Sequence, residues 1–585
     1  MKKLLTISKP NLIVLSIITL LGLSLRLYGI NWDQSQHLHP DERFLTMVTQ
    51  ALHWPTSLIS YLNPRLSPLN PYNIGYGFYV YGMLPLVLVK FASSFLLLNS
   101  FDYNNITLIG RLASALFDTA TIFLVYKIGK KIFNTKIGLV ATFIYATCVL
   151  PIQLSHFFAV DTFLTFFLTL TFYLVLVLMA NRRNYVIPIL LGLSLGLAFA
   201  TKISSVLILP IIVIALLKSL TAHNKLSRKL VSVSLITLCS YLTLRFADGH
   251  LFANSNLLKP MPNPQFISNI SQLQSWSNSQ ALYPPAIQWI KTKPLIFPLK
   301  NIMLWGLGFP LGILSILGLY YAMWNLLQSI GKKRLILNPL KLLINIKTKD
   351  FMALIVVIWI LFVFSYEGIQ FSKSMRYVYP IYPFLAILAA NFLYECGVKL
   401  KNAFKSKTPL LIMYSAILIL ILVWPFSFIS IYSKPHTRVA ASDWIYKNIP
   451  AGSTISCEYW DDCLPLPLGD QNSLIYKTET LTLFDPDTPE KWSKATAQLR
   501  NVDYLILSSN RLWGSIPKVP ERYPLTTSFY TNLFAGKLNF EKVAEFTSYP
   551  TIPFTNVQIP DDSAEEAFTV YDHPKVLIFK RIIPY

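Results

Sequence analysis

Apolar stretches of about 20 residues recur along most of this chain, and they constrain its fold more than any other feature. A helix needs about 20 residues to cross roughly 30 Å of hydrocarbon, and such stretches follow one another from Leu12 to about Ile431. The composition agrees, because 53% of the 585 residues are hydrophobic, only 14% are charged and the mean hydropathy is +0.47. Soluble domains of this size are rarely so apolar. The sequence therefore predicts an α-helical polytopic membrane protein.

The chain beyond Lys434 has a different character, since it is polar, rich in Pro and Asp, and without a spanning segment. We therefore expect a helical membrane domain over residues 1–432 and a soluble domain over residues 433–585. The local patterns predict a helix, two strands and a hairpin in the second domain. These elements are the helix Thr437 to Asn448, the strands Thr454 to Cys457 and Tyr504 to Ser508, and a hairpin from Phe568 to Lys580 that turns at Asp572. The soluble domain should be a small α/β or α+β module.

The net charge of +23 is concentrated in clusters between the apolar stretches, as is typical of cytoplasmic loops. We expect no nucleic-acid partner. The clusters are Lys2 and Lys3; Lys127, Lys130, Lys131 and Lys136; Arg182 and Arg183; Lys218, Lys225, Arg228 and Lys229; Lys332 to Arg334 with Lys347; and Lys399 to Lys407. Placing all of them in the cytoplasm predicts about eleven spans. These are residues 11–30, 107–127, 136–153, 160–180, 185–201, 203–217, 229–247, 300–325, 351–366, 377–397 and 409–432.

One further apolar stretch, Gly77 to Leu98, is long enough to cross but would invert every later basic loop. We therefore predict that it lies flat as an interfacial helix inside a first external loop, residues 31–106. The soluble domain is then extracytoplasmic. The first apolar stretch, Leu12 to Ile30, lacks an Ala-x-Ala-like cleavage site, and we expect it to be retained as an anchor.

The five cysteines fall into two groups. Cys148, Cys239 and Cys396 lie in apolar stretches, where a thiol packs as a small hydrophobic group. Cys457 and Cys463 flank Glu-Tyr-Trp-Asp-Asp in the soluble domain. A disulfide between these two is permissible outside the cytoplasm, although their spacing alone does not establish the required geometry.

The predicted topology brings several charged residues to the external face, where they meet at helix ends. They are Asp41, Glu42, Asp161, Lys202, Arg245, Lys373 and Arg376. Charges near membrane-embedded helix ends are costly, so a collection of both signs on one side indicates a functional cavity. The alternative is that each Lys or Arg extends separately to the interface.

Two acidic segments are candidates for catalysis. Pro40 suits the first turn of a helix, and Asp41 and Glu42 follow it where the helix dipole stabilises negative charge. Asp161 begins another predicted helix. The alternative is that each acid has no catalytic role and only starts or caps its helix. If Asp41 and Asp161 face one cavity, one carboxylate can act as base to an acceptor hydroxyl while the other orients it.

Such a base needs a sugar donor with a good leaving group, which a polyprenyl phosphate provides. Its negative charge needs cationic partners in a site of low dielectric constant. Lys202 and Arg376 with Tyr377 are the candidates for binding this phosphate. Arg111 and Arg245 are weaker candidates, since both are equally suited to anchoring helix ends.

These motifs together resemble the integral-membrane glycosyltransferases of the GT-C fold, specifically glycosyltransferase family 39, with the protein O-mannosyltransferases and lipid A aminoarabinose transferases. The similarity covers roughly residues 1–432. The matching motifs, in order, are His39-Pro-Asp-Glu-Arg-Phe, Tyr81-Gly-Met-Leu-Pro-Leu, Gly110-Arg-Leu-Ala-Ser-Ala-Leu-Phe, the helix start at Asp161, the Lys202 segment, and Met375-Arg-Tyr-Val-Tyr-Pro.

The resemblance implies a role for each matching residue. Asp41 would activate the acceptor, with Asp161 near it and Glu42 in support. Lys202, Arg376 and Tyr377 would lie near the donor phosphate. The reaction implied is inverting transfer of a sugar from a polyprenyl-phosphate donor to an external protein, lipid or glycan, and the flat Gly77 to Leu98 helix is implied as well.

The resemblance also implies no cofactor and no metal for the transfer. The sequence nevertheless offers a possible divalent-metal set, His39 and His156 with Asp41 and Asp161. His37 lies close to the same acids.

The long loop from Asp248 to Pro298 contains Trp276 and Trp289, which are suited either to stacking on sugar or to the membrane interface. Two other functions stay open. One is a lipid-linked sugar flippase or transporter, although the chain shows no repeated halves. The other is a polysaccharide polymerase or ligase that uses a diphosphate-linked donor. The chain has no P-loop or Gly-rich nucleotide motif, which disfavours direct use of a nucleotide sugar.

Overall fold

The computed structural model describes residues 8–96, 102–180, 184–220, 226–281, 283–331, 346–403 and 406–582. The helical domain is built from helices α1 to α18. These are α1 Lys9–Leu27, α2 Pro40–Ala51, α3 Leu58–Leu62, α4 Leu84–Leu96, α5 Tyr103–Ile132, α6 Thr135–Ala146, α7 Val149–Ser155, α8 Val160–Ala180, α9 Val186–Phe199, α10 Leu209–Leu220, α11 Leu226–Ala247, α12 Pro264–Ser275, α13 Pro284–Ile287, α14 Ile296–Asn301, α15 Phe309–Gly331, α16 Thr348–Ile369, α17 Tyr382–Ala403 and α18 Thr408–Ile429. Short 3-10 helices precede α10 (Ile203–Ile208) and α17 (Met375–Ile381).

Eight helical stretches of the described residues are long and apolar enough to cross a membrane. They coincide with eight of the eleven predicted spans. The predicted span at residues 136–153 is instead divided into α6 and α7, which are bent by 57°. The predicted spans at 185–201 and 203–217 correspond to the shorter apolar helices Val186–Phe199 and Ile203–Lys218. The sequence therefore located the apolar helices among the described residues, but it did not predict the bend between α6 and α7.

The segment Gly77 to Leu98 contains a helix, α4, of only 13 residues among those described. At 1.5 Å per residue, α4 is about 20 Å long and too short for a bilayer core. The residues before it are held by other bonds, because the Gly82 and Leu84 N–H groups donate to the carbonyl oxygens of Thr201 and Ala200, each at 3.1 Å. The predicted segment extends beyond Leu96, where the described residues stop, so its flat, non-crossing orientation stays a prediction.

The C-terminal domain is a mixed α/β domain around one five-stranded sheet. The strand order is β2-β1-β3-β5-β4, with β1 parallel to β2 and β3, and β5 antiparallel to β3 and β4. The strands are β1 Thr454–Glu458, β2 Lys477–Leu481, β3 Tyr504–Leu507, β4 Phe540–Phe546 and β5 Val576–Arg581, and the helices are α19 Thr437–Asn448, α20 Pro489–Asn501, α21 Pro524–Phe534 and α22 Glu566–Thr569. A disulfide joins Cys457 to Cys463.

The predicted hairpin from Phe568 to Lys580 is wrong. Its first half is the short helix α22, and its second half is β5, which pairs with β3 and β4. Two of the residues expected at the turn form ion pairs. Buried His573 lies between the carboxylates of Asp561, at 2.8 Å, and Asp572, at 2.5 Å. The chain does turn at residues 570–572, as expected around Asp572, but a short helix and not a strand precedes the turn.

The C-terminal domain is seated on one end of the helical domain. The Gln153 side chain in α7 donates to the Phe568 carbonyl at 2.7 Å, and the Tyr432 hydroxyl donates to Asp572 at 2.9 Å. Arg43, just after the start of α2, pairs with Asp462 at 2.8 Å. One hydrophobic core continues from the helices into this domain. The two domains therefore share the end of the bundle at which α2 begins.

Candidate active site

The first turn of α2 presents Asp41. Pro40 occupies the start of the helix, and His39 caps it by accepting the Glu42 N–H through Nδ1 at 3.3 Å. The His39 ring packs between Phe157 and Tyr571, with ring centroids 4.4 and 4.2 Å away. Burial lowers the pKa of His39 from 6.5 to about 4. His39 is therefore neutral at pH 7 and able to accept the capping hydrogen bond.

Asp41, Asp161, Lys202 and Arg376 form one ion cluster. Arg376 Nη2 lies 2.6 Å from Asp41 Oδ2, and Arg376 Nε lies 3.8 Å from Asp161 Oδ2. Lys202 Nζ lies 3.1 Å from Asp161 Oδ1 and 5.5 Å from the centre of the Tyr377 ring. Arg376 thus bridges two carboxylates from distant helices. The structure brings five of the residues singled out from the sequence into one place, counting Tyr377.

The charges of the ion cluster are balanced and partly solvent-accessible, with side-chain exposures of 28% for Asp41 and 18% for Arg376. Burial acts to raise the pKa of Asp41, but Arg376, with smaller contributions from His39 and Lys202, lowers it from 3.8 to about 2. Asp41 is therefore ionised throughout the physiological range. Among the described residues, Asp161 Oδ2 is buried without a hydrogen-bond partner.

Three tyrosines lie within electrostatic range of the ion cluster. The charges of Asp41 and Arg376 act on the hydroxyls of Tyr81, Tyr283 and Tyr571, which come from three separate segments. Burial raises the pKa of all three phenols, so each stays neutral and able to donate a hydrogen bond. Tyr571 belongs to the C-terminal domain and Tyr283 to the long loop. Sequence analysis missed both because neither lies beside a recognisable motif.

Arg111 and Glu42 belong to a second, buried ion cluster that also includes Asp33. Arg111 pairs with Glu42 at 2.5 Å and with Asp33 at 2.8 Å. Glu42 also accepts the Phe158 N–H at 2.7 Å. The predicted role of Arg111 in binding the donor phosphate is therefore corrected, because its guanidinium is buried and taken up by two carboxylates. Glu42 supports Asp41 through the backbone of α2, since this cluster ties the start of α2 to α5 and to the segment before α8.

Arg245, the other weaker phosphate-binding candidate, has local contacts. Its guanidinium lies 4.4 Å from the centre of the Phe252 ring and donates to the Asn254 carbonyl. These contacts are with the loop that directly follows α11. These contacts agree with the alternative, in which the residue anchors a helix end, and a phosphate-binding role for Arg245 stays a prediction.

The possible metal set is not assembled by the structure. His156 is buried, with Nδ1 and Nε2 each 2.8 Å from a backbone carbonyl, of Ile152 and Tyr28, and its ring stacks on Tyr432. His39 uses Nδ1 for the helix cap. Over the described ranges, no three His, Cys, Asp or Glu side chains are grouped so as to hold a metal ion. Metal independence of the reaction stays a prediction.

The two tryptophans of the long loop have different environments. Trp289 is buried, so it belongs to the core and is not available for stacking on sugar. Trp276 is only partly buried and stacks on Tyr283, with ring centroids 5.5 Å apart. Trp276 therefore packs against one of the three tyrosines within electrostatic range of the ion cluster.

The C-terminal domain supplies part of the wall of the site through Glu565. Its carboxylate accepts the Ser374 hydroxyl at 2.7 Å and the Met375 N–H at 3.0 Å, at the start of the 3-10 helix that carries Arg376. Burial raises the pKa of Glu565 to about 7. A small cavity is lined by residues of both domains, among them His39, Arg376, Glu565 and Tyr571. No sequence motif pointed to Glu565.

Comparisons with known proteins address the fold. The family model described as Dolichyl-phosphate-mannose-protein mannosyltransferase matches residues 85–244. No curated protein matches the sequence.

Among solved structures, the chain is similar to the oligosaccharyltransferase AglB from Archaeoglobus fulgidus in complex with an inhibitory peptide and a dolichol-phosphate. The TM-score is 0.53 at 13% sequence identity, and the match covers 94% of this chain and 75% of the AglB chain. The same archaeal enzyme tethered to an acceptor peptide gives 0.52 at 12% identity, over 98% and 89%. ArnT from Cupriavidus metallidurans bound to undecaprenyl phosphate gives 0.45 at 12% identity, over 97% of each chain, a score too low to support the fold assignment. The chain therefore has the GT-C fold of integral-membrane glycosyltransferases, as its motifs predicted.

Proposed function

We propose that this protein transfers a sugar from a polyprenyl-phosphate donor to an acceptor hydroxyl, with inversion at the sugar. The observation that carries the proposal is the ion cluster, in which Arg376 lies between Asp41 and Asp161 while Lys202 pairs with Asp161. The cluster joins a carboxylate base to two cations suited to a phosphate. The AglB structure supports the proposal, because a protein of the same fold is seen there in complex with a lipid phosphate, dolichol-phosphate.

When the donor binds, its phosphate can replace the carboxylates of the ion cluster as the partner of the two cations. A phosphate placed between Arg376 and Lys202 competes with the carboxylates for these cations. Loss of the 2.6 Å contact between Arg376 and Asp41 removes the main influence that lowers the pKa of Asp41. That pKa then rises from about 2, which makes Asp41 a stronger base when the donor is present.

The chemical step is a single displacement at the anomeric carbon. The acceptor oxygen forms a bond to this carbon while the bond from the carbon to the phosphate oxygen breaks. The acceptor proton passes to Asp41, and the bonding electrons leave with the polyprenyl phosphate. The phosphate gains one negative charge in this step, so Arg376 and Lys202 stabilise the transition state more than the bound donor. Asp161 holds Lys202 through Oδ1, and its Oδ2, which lies 3.8 Å from Arg376 Nε and accepts no hydrogen bond, is assigned the role of orienting the acceptor once the phosphate engages Arg376.

We further propose that this reaction takes place on the extracytoplasmic side. Helix α5 carries Arg111 near the site and Lys130 and Lys131 in its last turn, about 30 Å away along the helix. The positive-inside rule assigns the lysine end to the cytoplasm. A membrane-impermeant maleimide added to intact cells should label cysteine at exposed Asp470, and should label cysteine at exposed Lys401 only after lysis. The opposite pattern would contradict this orientation.

The proposed reaction is tested by purified protein in liposomes with a panel of polyprenyl-phosphate sugars. Membranes from cells that lack the protein serve as the acceptor source, and free polyprenyl phosphate is measured. We expect release by the wild type, loss with Asp41→Asn, and no change with Asp443→Asn, an exposed carboxylate of the C-terminal domain.

Three results would contradict the proposal. Release of a lipid diphosphate would identify a diphosphate-linked donor and a polymerase or ligase. Movement of intact donor between leaflets without release would identify a flippase. Release that Asp41→Asn leaves unchanged would exclude Asp41 as the base.

A further inference from the structure

A short hairpin over residues 550–559 of the C-terminal domain has an apolar tip. Thr551 and Gln558 form an antiparallel bridge, and the Ile552 and Ile559 N–H groups donate to the Val557 and Pro550 carbonyls at 2.9 and 2.8 Å. At the tip, Phe554 is 107% exposed, the largest value for any large apolar side chain that the structure describes, and Val557 is 57% exposed. A packed hairpin thus displays two apolar side chains to its surroundings.

The backbone holds Phe554 in this outward position at a cost. Its φ of 61° lies in the left-handed region that residues other than glycine rarely adopt. The Thr555 N–H and hydroxyl both donate to the Ile552 carbonyl, at 3.1 and 2.9 Å, and keep the tip closed. Since both the strain and the exposure of an aromatic ring are unfavourable in water, the arrangement indicates that the ring meets an apolar environment.

The base of the hairpin is bonded to the last turn of α18, a membrane-spanning helix. The Thr551 N–H donates to the Ser427 carbonyl at 3.2 Å and to the Ser430 hydroxyl at 2.9 Å. Lys434 donates to the Thr551 hydroxyl at 3.2 Å. The hairpin is therefore fixed at the level where α18 leaves the hydrocarbon, beside a lysine that can reach lipid phosphates.

The outer surface of α18 continues the apolar character of the hairpin towards the bilayer centre. Phe426, one residue before the attachment point, is partly exposed, and Ile419 and Leu420 farther along are 62% and 53% exposed. A helix of this length with such a face is in contact with lipid. Because Thr551 ties the hairpin to the end of this helix, the position of the tip favours lipid over a second protein as the partner.

We propose that the tip formed by Phe554 and Val557 inserts into the headgroup region of the membrane and anchors the C-terminal domain. Aromatic rings are favoured at this depth, where an apolar body lies below a polar layer. Glu565, which binds the segment of Arg376, lies 11 residues after Phe554 in the same domain. Anchoring of the tip therefore also holds the domain over the active site.

The insertion is tested on the full chain in nanodiscs with a polarity-sensitive fluorophore attached to Phe554→Cys. Cys148, Cys239 and Cys396 are replaced by alanine beforehand, and the disulfide is kept. The matched control is Leu474→Cys, an 85% exposed apolar position in the same domain. We expect a blue-shifted emission at position 554, quenched by lipid-borne nitroxide and protected from iodide, and the reverse at position 474.

A second label at Val557→Cys leaves Phe554 in place and guards against an effect of that substitution. Quenching of both hairpin labels by iodide to the same extent as the control would overturn the proposal. Protection of the labels that appears only after addition of a membrane extract, without quenching by lipid-borne nitroxide, would identify a protein partner and would overturn it as well.

Discussion

The Arg376 guanidinium lies 2.6 Å from the Asp41 carboxylate, although 335 residues separate the two in the chain. Arg376 lies in the first turn of the 3-10 helix that leads into α17, whereas Asp41 lies in the first turn of α2. Their contact joins the first loop of the helical domain to one of its last helices at the candidate active site. The same contact keeps Asp41 ionised and holds the cation that we assign to the donor phosphate.

Replacement of Arg376 should show whether this residue acts on the donor phosphate or only maintains the structure. We expect Arg376→Gln to lower kcat by about 100- to 1,000-fold, since it removes a charge that stabilises the leaving phosphate. Arg376→Lys should keep part of the activity, because lysine retains the charge but loses the bidentate geometry. Steady-state kinetics of sugar transfer measure both effects. Arg65→Gln, at an exposed arginine, is the control, and equal losses in this variant would contradict the assignment.

Replacement of Arg111 should act on stability. Arg111→Met leaves the buried carboxylates of Asp33 and Glu42 without their cation, and breaking a buried pair typically costs about 3–5 kcal/mol. We expect a low folded yield and a lower Tm in detergent, measured by thermal unfolding.

Neutralising the partners of Arg111 provides the internal control. The triple variant Arg111→Met, Asp33→Asn, Glu42→Gln should recover part of the loss, because no unpaired charge stays buried. If the triple variant is no more stable than Arg111→Met, the ion cluster is not the cause.

Glu565 should make stability depend on pH. Its pKa in the folded protein is about 7, above the ordinary 4.5, so the folded state binds the proton more tightly than the unfolded state. The stabilisation is complete below pH 4.5 and is lost as the pH rises through about 7. We expect the Tm of the wild type to fall relative to Glu565→Gln over this window. A difference in Tm that does not change with pH would show that Glu565 does not titrate there.

The contact of Gly82 with the Lys202 segment should be sensitive to one methyl group. A Cβ at Gly82 would clash with the carbonyl oxygen of Ala200, whereas a Cβ at Gly77 would meet nothing within 4 Å. We expect Gly82→Ala to displace the residues leading to Lys202 and to reduce transfer activity, with Gly77→Ala unchanged. Activity at equal folded yield is the measurement. Equal activity of the two variants would show that this contact does not position Lys202.

Local features were predictable from residues close together in the sequence. The helix Thr437–Asn448 has the predicted bounds, and eight of the eleven predicted spans coincide with long apolar helices, because hydropathy and helix-start signals act within one or two turns. Asp41, Asp161, Lys202 and Arg376 could be chosen because each is a charge at the end of an apolar segment. The predicted topology of the spans then placed these four residues on the external face of the membrane domain.

The pairing of these charges was decided only by the tertiary structure. Arg111 and Arg376 look alike in the sequence, yet packing buries the first between Asp33 and Glu42 and brings the second to Asp41. Glu565 carried no signal, since its target, the Met375 N–H, lies 190 residues away. Hydropathy marks which segments enter the membrane, but the partner of a buried charge depends on which helices pack together.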